Sequence, residues 1–134
     1  MPDNGTYYDP LRKKEVAATP EEKVRQWFIS RLTETGLVPA HMMMSEVQMK
    51  FGRKTWRADI VVYSTKGSPV AVVECKRTDV EIDAEVASQA LRYNAVLGVR
   101  YIFLTNGTNT YIYRKEGGAF KALSHFPVYP EMNG

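Results

Sequence analysis

The sequence predicts a single mixed α/β domain with a central sheet of about five strands flanked by helices. Three observations carry this expectation. Two short runs crowded with Ile, Val and Tyr, RADIVVY at 57–63 and PVAVVECKR at 69–77, read as neighbouring buried strands. The segment Ser64-Thr-Lys-Gly-Ser-Pro69 between them has the turn chemistry that joins such strands as a hairpin. A capped helical pattern then precedes two further strand-like runs, the order expected of a helix crossing back over a sheet.

In chain order, residues 1–18 are polar and without a clear period, and read as an N-terminal arm that packs loosely or meets a partner. Residues 19–134 read as the domain. Its first helix begins at Thr19. Pro20 suits the first helical position, Thr19 and Glu22 stand at capping-box spacing, and Val24, Trp27, Phe28 and Leu32 follow before Gly36 closes it. From about Ser45 to Phe51, Val47, Met49 and Phe51 alternate with Glu46, Gln48 and Lys50, the period of a half-exposed strand. The basic turn Gly52-Arg53-Lys54 comes next. A second helix is expected from Asp83 to about Leu97, with Val86, Ala90, Tyr93 and Leu97 on one stripe and Gly98 closing it. Residues 101–105 and 109–113 then form strands around Asn106-Gly107, the first expected to run parallel to 70–76. The tail from Gly117 carries no strong pattern.

Composition narrows the class. A chain of 134 residues, 44% of them hydrophobic, can bury one core and is too short for a motor or a multidomain enzyme. The net charge of +3, from 18 Lys+Arg against 15 Asp+Glu, permits a polyanionic partner without demanding one. The lone Cys75 cannot form an intramolecular disulfide, and there is no Cys/His pattern for zinc, so a reducing cytoplasm is the expected location. No apolar stretch approaches the roughly 20 residues that span a bilayer, and the first residues lack an apolar signal core. No membrane partner is expected.

Asp59, Glu74 and Lys76 stand within the two apolar runs, where charges are costly unless they pair or hold a metal. Strand alternation puts Glu74 and Lys76 on one face and Cys75 on the other. Pairing the hairpin about Lys66 sets Asp59 opposite Val73 or Glu74. At about 4 Å and an effective dielectric of about 20, two carboxylates repel by roughly 4 kcal/mol, so the pair needs a cation or a proton. Two carboxylates completed by water and substrate oxygens suit Mg²⁺ and a phosphate ester, with Lys76 beside them to hold water or offset developing charge.

Asp59 followed by Glu74-Cys75-Lys76 resembles the PD-(D/E)XK nuclease signature, with Ala58 in place of the proline that names it. Thr19-Pro-Glu-Glu-Lys-Val-Arg25, Arg57-Ala-Asp-Ile-Val-Val-Tyr63, Gln89-Ala-Leu-Arg-Tyr93 and Leu104-Thr-Asn-Gly107 extend the likeness to the N-terminal nuclease domain of type I restriction enzyme R subunits, over about residues 19–113. The resemblance implies a restriction-endonuclease-like fold and a Mg²⁺-dependent DNA endonuclease, with Mn²⁺ able to substitute. It implies Asp59, Glu74 and the Cys75 carbonyl as metal ligands, with Lys76 at the water or the scissile phosphate. Glu22 matches an acid carried on the first helix of many such nucleases. Gln89 and Tyr93, on one helical face, match a Gln-x-x-x-Tyr motif that contacts DNA or orients the site. DNA is the implied partner, alongside separate helicase or translocase, specificity or methyltransferase chains; a protein of this size can also form a homodimer so that two sites cut two strands, although no residue pattern specifies it. The motor would be another chain, since no Walker-type glycine-rich loop occurs here.

Other readings stand beside these. Asp59, Glu74 and Lys76 can form a plain cross-strand ion-pair set, Glu22 can be a helix cap alone, and Tyr93 can rest on the sheet. Glu46 competes for the place of a third acid. Arg53, Lys54, Arg57 and Arg77 bracket the cluster and can hold phosphates. The alternative function is a non-catalytic DNA-binding or partner-binding module that retains the nuclease fold.

Overall fold

The computed structural model describes residues 5–134. Strands β1 (Thr6–Asp9) and β2 (Lys14–Ala17) form a separate antiparallel hairpin. Helix α1 (Pro20–Glu34) leads through a short 3-10 turn into β3 (Met43–Phe51), β4 (Lys54–Tyr63) and β5 (Pro69–Cys75). Helix α2 (Ala84–Ala95) precedes β6 (Tyr101–Thr105), β7 (Thr110–Glu116) and β8 (Ala119–Ala122), and α3 (Tyr129–Asn133) ends the chain. The main sheet has six strands in sequence order, β3 to β8. β5 and β6 pair in parallel across α2, and the other neighbours are antiparallel, so the sheet is mixed as expected.

Each face of the sheet has its own core. Val24, Phe28, Ile29 and Leu32 of α1 bury against Ile60, Val62, Ala71, Val73 and Phe103, with the Phe28 and Phe103 rings edge to face at 5.6 Å. α3 closes the same side by burying Tyr129 and Met132. Leu91 and Leu97, from α2 and the turn after it, cover Val61, Val72 and Ile102 on the opposite face. The α1 stripe is rotated from expectation, since Trp27 is exposed and Arg25 is buried. α2 buries Ala90 and Asn94 and leaves Tyr93 exposed.

Three segments depart from the sequence reading. The expected five strands are joined by β8, an edge strand whose alternation is too shallow to notice. The expected loose arm contains the β1–β2 hairpin, anchored where the Ser45 hydroxyl donates to the buried Asp9 carboxylate at 2.9 Å; residues 1–4 of that arm lie outside the described residues. Glu46 takes a left-handed φ of +52 opposite Asp59, between the pairs Ser45↔Ile60 and Val47↔Ala58. Both strands change faces there. Met43 and Ile60 lie in the α1 core, whereas Val47, Met49 and Ala58 lie in the α2 core. A left-handed non-glycine residue costs about 1–2 kcal/mol, a strain often held at functional sites.

Candidate active site

Antiparallel pairing of β4 with β5 ends at Ile60↔Val73. One step further the ladder is replaced by a side chain: the Cys75 amide donates to Asp59 Oδ2 at 2.7 Å. Asp59 and Glu74 therefore stand opposite each other where the two strands part, the register expected from the turn. Asp59 Oδ1 also accepts from Arg25 at 3.2 Å. Burial raises the Asp59 pKa, the Cys75 amide and Arg25 pull it back, the Glu74 charge raises it again, and the net shift is upward. Glu74 turns to the α2 side, where Asn94 donates to its Oε1 at 2.9 Å and Lys76 Nζ lies 3.0 Å from its Oε2. Strand alternation thus brings Glu74 and Lys76 together as expected. Cys75 points the other way into the α1 core, and burial pushes its thiol pKa well up.

Glu22 resolves into a half-used capping box. The Thr19 hydroxyl accepts from the Glu22 amide at 3.1 Å, but the Glu22 carboxylate turns inward. It accepts from Arg12 at 2.8 Å, Arg25 at 2.7 Å and Gln26 at 2.8 Å. Among the described residues it reaches Asp59 only through Arg25, which donates to both acids. Glu46 joins the same lattice through Arg12 at 2.8 Å and Arg25 at 3.6 Å. A cavity of about 280 Å³ opens beside Asp59, lined also by Arg25, Glu46, Gln48 and Arg57.

The remaining expected residues divide. Arg57 borders this cavity, and its backbone amide donates to the Tyr93 hydroxyl at 2.9 Å. Tyr93 thus supports β4, while Gln89 is exposed on α2 without a side-chain hydrogen bond among the described residues. Arg77 pairs with Asp79 at 3.2 Å and, among the described residues, with neither Asp59 nor Glu74. The Leu104-Thr-Asn-Gly motif is a brace: Asn106 donates to the Val80 carbonyl at 2.8 Å, and Lys76 N donates to the Thr105 carbonyl at 2.8 Å, which fixes the chain leaving β5. Sequence reasoning missed Arg12, Arg25 and Asn94. Arg25 and Asn94 had a usable signal, since each is a polar residue on an otherwise apolar helical stripe and must find a partner. Arg12 had none, because its partners are set by tertiary folding.

A family profile described as the N-terminus of type I restriction enzyme R proteins matches residues 20–127. The chain belongs to this family. Among solved structures, the R-protein domain is similar to a fragment assigned as an HsdR subunit of a type I restriction enzyme from Vibrio vulnificus YJ016, with TM-score 0.61 and 22% identity. That match covers 84% of this chain and 24% of the other, so the chain spans about a quarter of its relative. The type IIG restriction endonuclease BpuSI gives a TM-score of 0.47 at 17% identity, covering 84% of this chain and 15% of that one. No curated protein matches. The fold is the restriction-endonuclease-like α/β fold, with six strands in the sheet where about five were expected.

Among the described residues, no three His, Cys, Asp or Glu side chains converge as a closed metal cage, and no helix is long and apolar enough to cross a membrane. Asp59 and Glu74 could hold a divalent cation such as Mg²⁺ in a more open way. That ion is commonly held by one or two carboxylates, with water and phosphate oxygens completing the shell. Asp59, whose charged form is disfavoured by burial and by Glu74, is a carboxylate that a cation would relieve.

Proposed function

We propose that this R-protein domain is a Mg²⁺-dependent endonuclease acting on DNA phosphodiesters. The observation that carries the reading is the opposition of Asp59 and Glu74 at the parting of β4 and β5, with Lys76 Nζ 3.0 Å from Glu74. Asp59, Glu74 and the Cys75 carbonyl would hold the Mg²⁺, which when bound supplies Lewis-acid neutralisation at the scissile phosphate. Lys76, on the Glu74 face, orients a water or offsets charge that develops on phosphate oxygens. Arg25 balances the Asp59 charge, and Glu22 holds Arg25 in place. Glu22 is therefore a positioning residue, one step removed from Asp59. Asn94 fixes one Glu74 oxygen and leaves the other to Lys76. DNA, and separate translocase, specificity or methyltransferase chains, are the partners this reading implies.

Supercoiled plasmid is the direct substrate test. The chain should nick it with Mg²⁺ or Mn²⁺ and not with EDTA, and Glu74→Ala and Lys76→Ala should each lower the rate at least about a hundredfold. Nicking that survives both substitutions would overturn the reading. A second reading, a DNA-binding module without cleavage, draws on the ion pairs that Arg25 and Lys76 already give the two acids. Salt-sensitive DNA binding with no metal-dependent nicking would favour it.

A further inference from the structure

β3 and β4 continue together past the end of β5. From Val47↔Ala58 to Phe51↔Lys54 they pair with each other and, beyond Ile60, not with β5, so they project as a two-stranded ribbon closed by Gly52-Arg53. Gly52 takes φ +65, as the first position of such a two-residue turn requires. Residues 47–58 carry Lys50, Arg53, Lys54 and Arg57 and no acidic residue. All four cations are exposed, and among the described residues none forms an ion pair. The ribbon thus bears four exposed cations with no acid among its residues, whereas Arg12 and Arg25 beside Asp59 are taken up by acids.

The ribbon is held rigidly for a projecting hairpin. Trp56 Nε1 donates to the Tyr93 carbonyl at 2.7 Å, and the Tyr93 hydroxyl accepts from the Arg57 amide, so α2 grips β4 at two successive residues. The Trp56 ring lies 5.8 Å from Tyr93 and 5.7 Å from Phe51. The strip also runs into the site, because Gln48 and Arg57 line the cavity that Asp59 opens onto. At about 3.3 Å per residue, the turn stands roughly 20 Å from Asp59.

We propose that the β3–β4 ribbon is the docking element for duplex DNA, with Lys50, Arg53 and Lys54 on the phosphate backbone and Arg57 leading it to Asp59. The proposal rests on the reading of the site as a DNA nuclease and assigns the surface that presents the substrate. A ribbon seated in a groove meets phosphates on both walls: strand alternation turns Lys50 and Arg57 to one face and Lys54, 5.8 Å from the Trp56 ring centroid, to the other, and releasing counterions there drives binding. The major groove of B-form DNA admits a two-stranded ribbon, whereas that of A-form RNA is too deep and narrow for side chains to read. Tyr93 acts as the brace of the ribbon.

The test is anisotropy of a short fluorescent DNA duplex in EDTA, where binding is read without cleavage. The combined variant Lys50→Ser, Arg53→Ser, Lys54→Ser should weaken binding at least about tenfold and lower the slope of log affinity against log salt by roughly 2–3. A control that removes three exposed cations elsewhere, Lys66→Ser, Lys115→Ser, Lys121→Ser, should weaken it less than about threefold. Lys50→Gln with Lys54→Gln, which leaves the Gly52-Arg53 turn intact, should reproduce most of the loss, with melting curves of all variants checking the fold. Equal weakening by ribbon and control variants, no duplex binding by the wild type, or tighter binding of an RNA duplex would each overturn the assignment. The two claims separate cleanly. Ribbon-dependent binding without Mg²⁺-dependent nicking removes the nuclease reading and keeps the ribbon; Glu74-dependent nicking with normal binding by the ribbon variant removes the ribbon and keeps the nuclease.

Discussion

Asp9 and Asp59 are both aspartates set against an arginine and a backbone amide, and the fold treats them in opposite ways. Asp9 is fully buried at the corner of the β1–β2 hairpin and accepts from the Leu11 and Arg12 amides, the Arg12 guanidinium and the Ser45 hydroxyl. Burial alone would raise its pKa, but these donors outweigh it and hold the carboxyl below its ordinary range. Asp59 keeps part of its surface exposed, has the Cys75 amide and one longer contact to Arg25, faces a second acid, and is shifted upward. A carboxylate saturated with donors holds the fold together. One left short of positive charge beside another acid is where a cation is wanted.

The largest effect expected from this contrast is on the Asp9 side. Asp9→Ala leaves Ser45 and one face of Arg12 without a partner and should cost about 3 kcal/mol, read from the shift of a urea unfolding curve. A loss under about 1 kcal/mol would mean the hairpin is the loose arm that its sequence suggests.

Acid titration separates the two groups by sign. Asp9, with its lowered folded pKa, contributes stability that is complete above the unfolded value of 3.8 and lost as pH falls through the lower folded value. Asp59, raised, works the other way: its ionised form costs stability at neutral pH, and protonation removes that cost as pH falls from the folded value to 3.8. The smallest effect follows. Asp59→Asn, which mimics the protonated group, should be as stable as wild type or more so at pH 7, within about 1 kcal/mol, while nicking is lost. The advantage should disappear once the pH is below 3.8. Marked destabilisation of Asp59→Asn at neutral pH would show that Asp59 serves the fold as Asp9 does.

Much of this arrangement was legible in the chain. The 57–63 and 70–76 strands, their register and the sharing of one face by Glu74 and Lys76 follow from a period of two and a short turn, both local. The α1 cap and the parallel return of β6 follow from Thr19-Pro20 and the α2 pattern. What escaped depends on contacts far apart in sequence. The β1–β2 hairpin is pinned by Asp9 to Ser45, α3 docks through Met132 and a bond from the Tyr129 hydroxyl to the Tyr63 carbonyl, and β8 is a short edge strand with little to bury. The Glu46 kink has no local signal either, since glutamate does not favour a left-handed backbone. The arginine lattice escaped for the same reason. Arg12 and Arg25 meet Glu22, Glu46 and Asp59 only when hairpin, helix and sheet have assembled.

Whether Asp59 and Glu74 share one cation is measured directly by a crystal of the chain soaked in Mn²⁺. The anomalous map should show a peak bound by both carboxylates, with Arg25 drawn back from Asp59. An unoccupied pair, with Asp59 still on Arg25 and Glu74 still on Lys76, would contradict a shared cation.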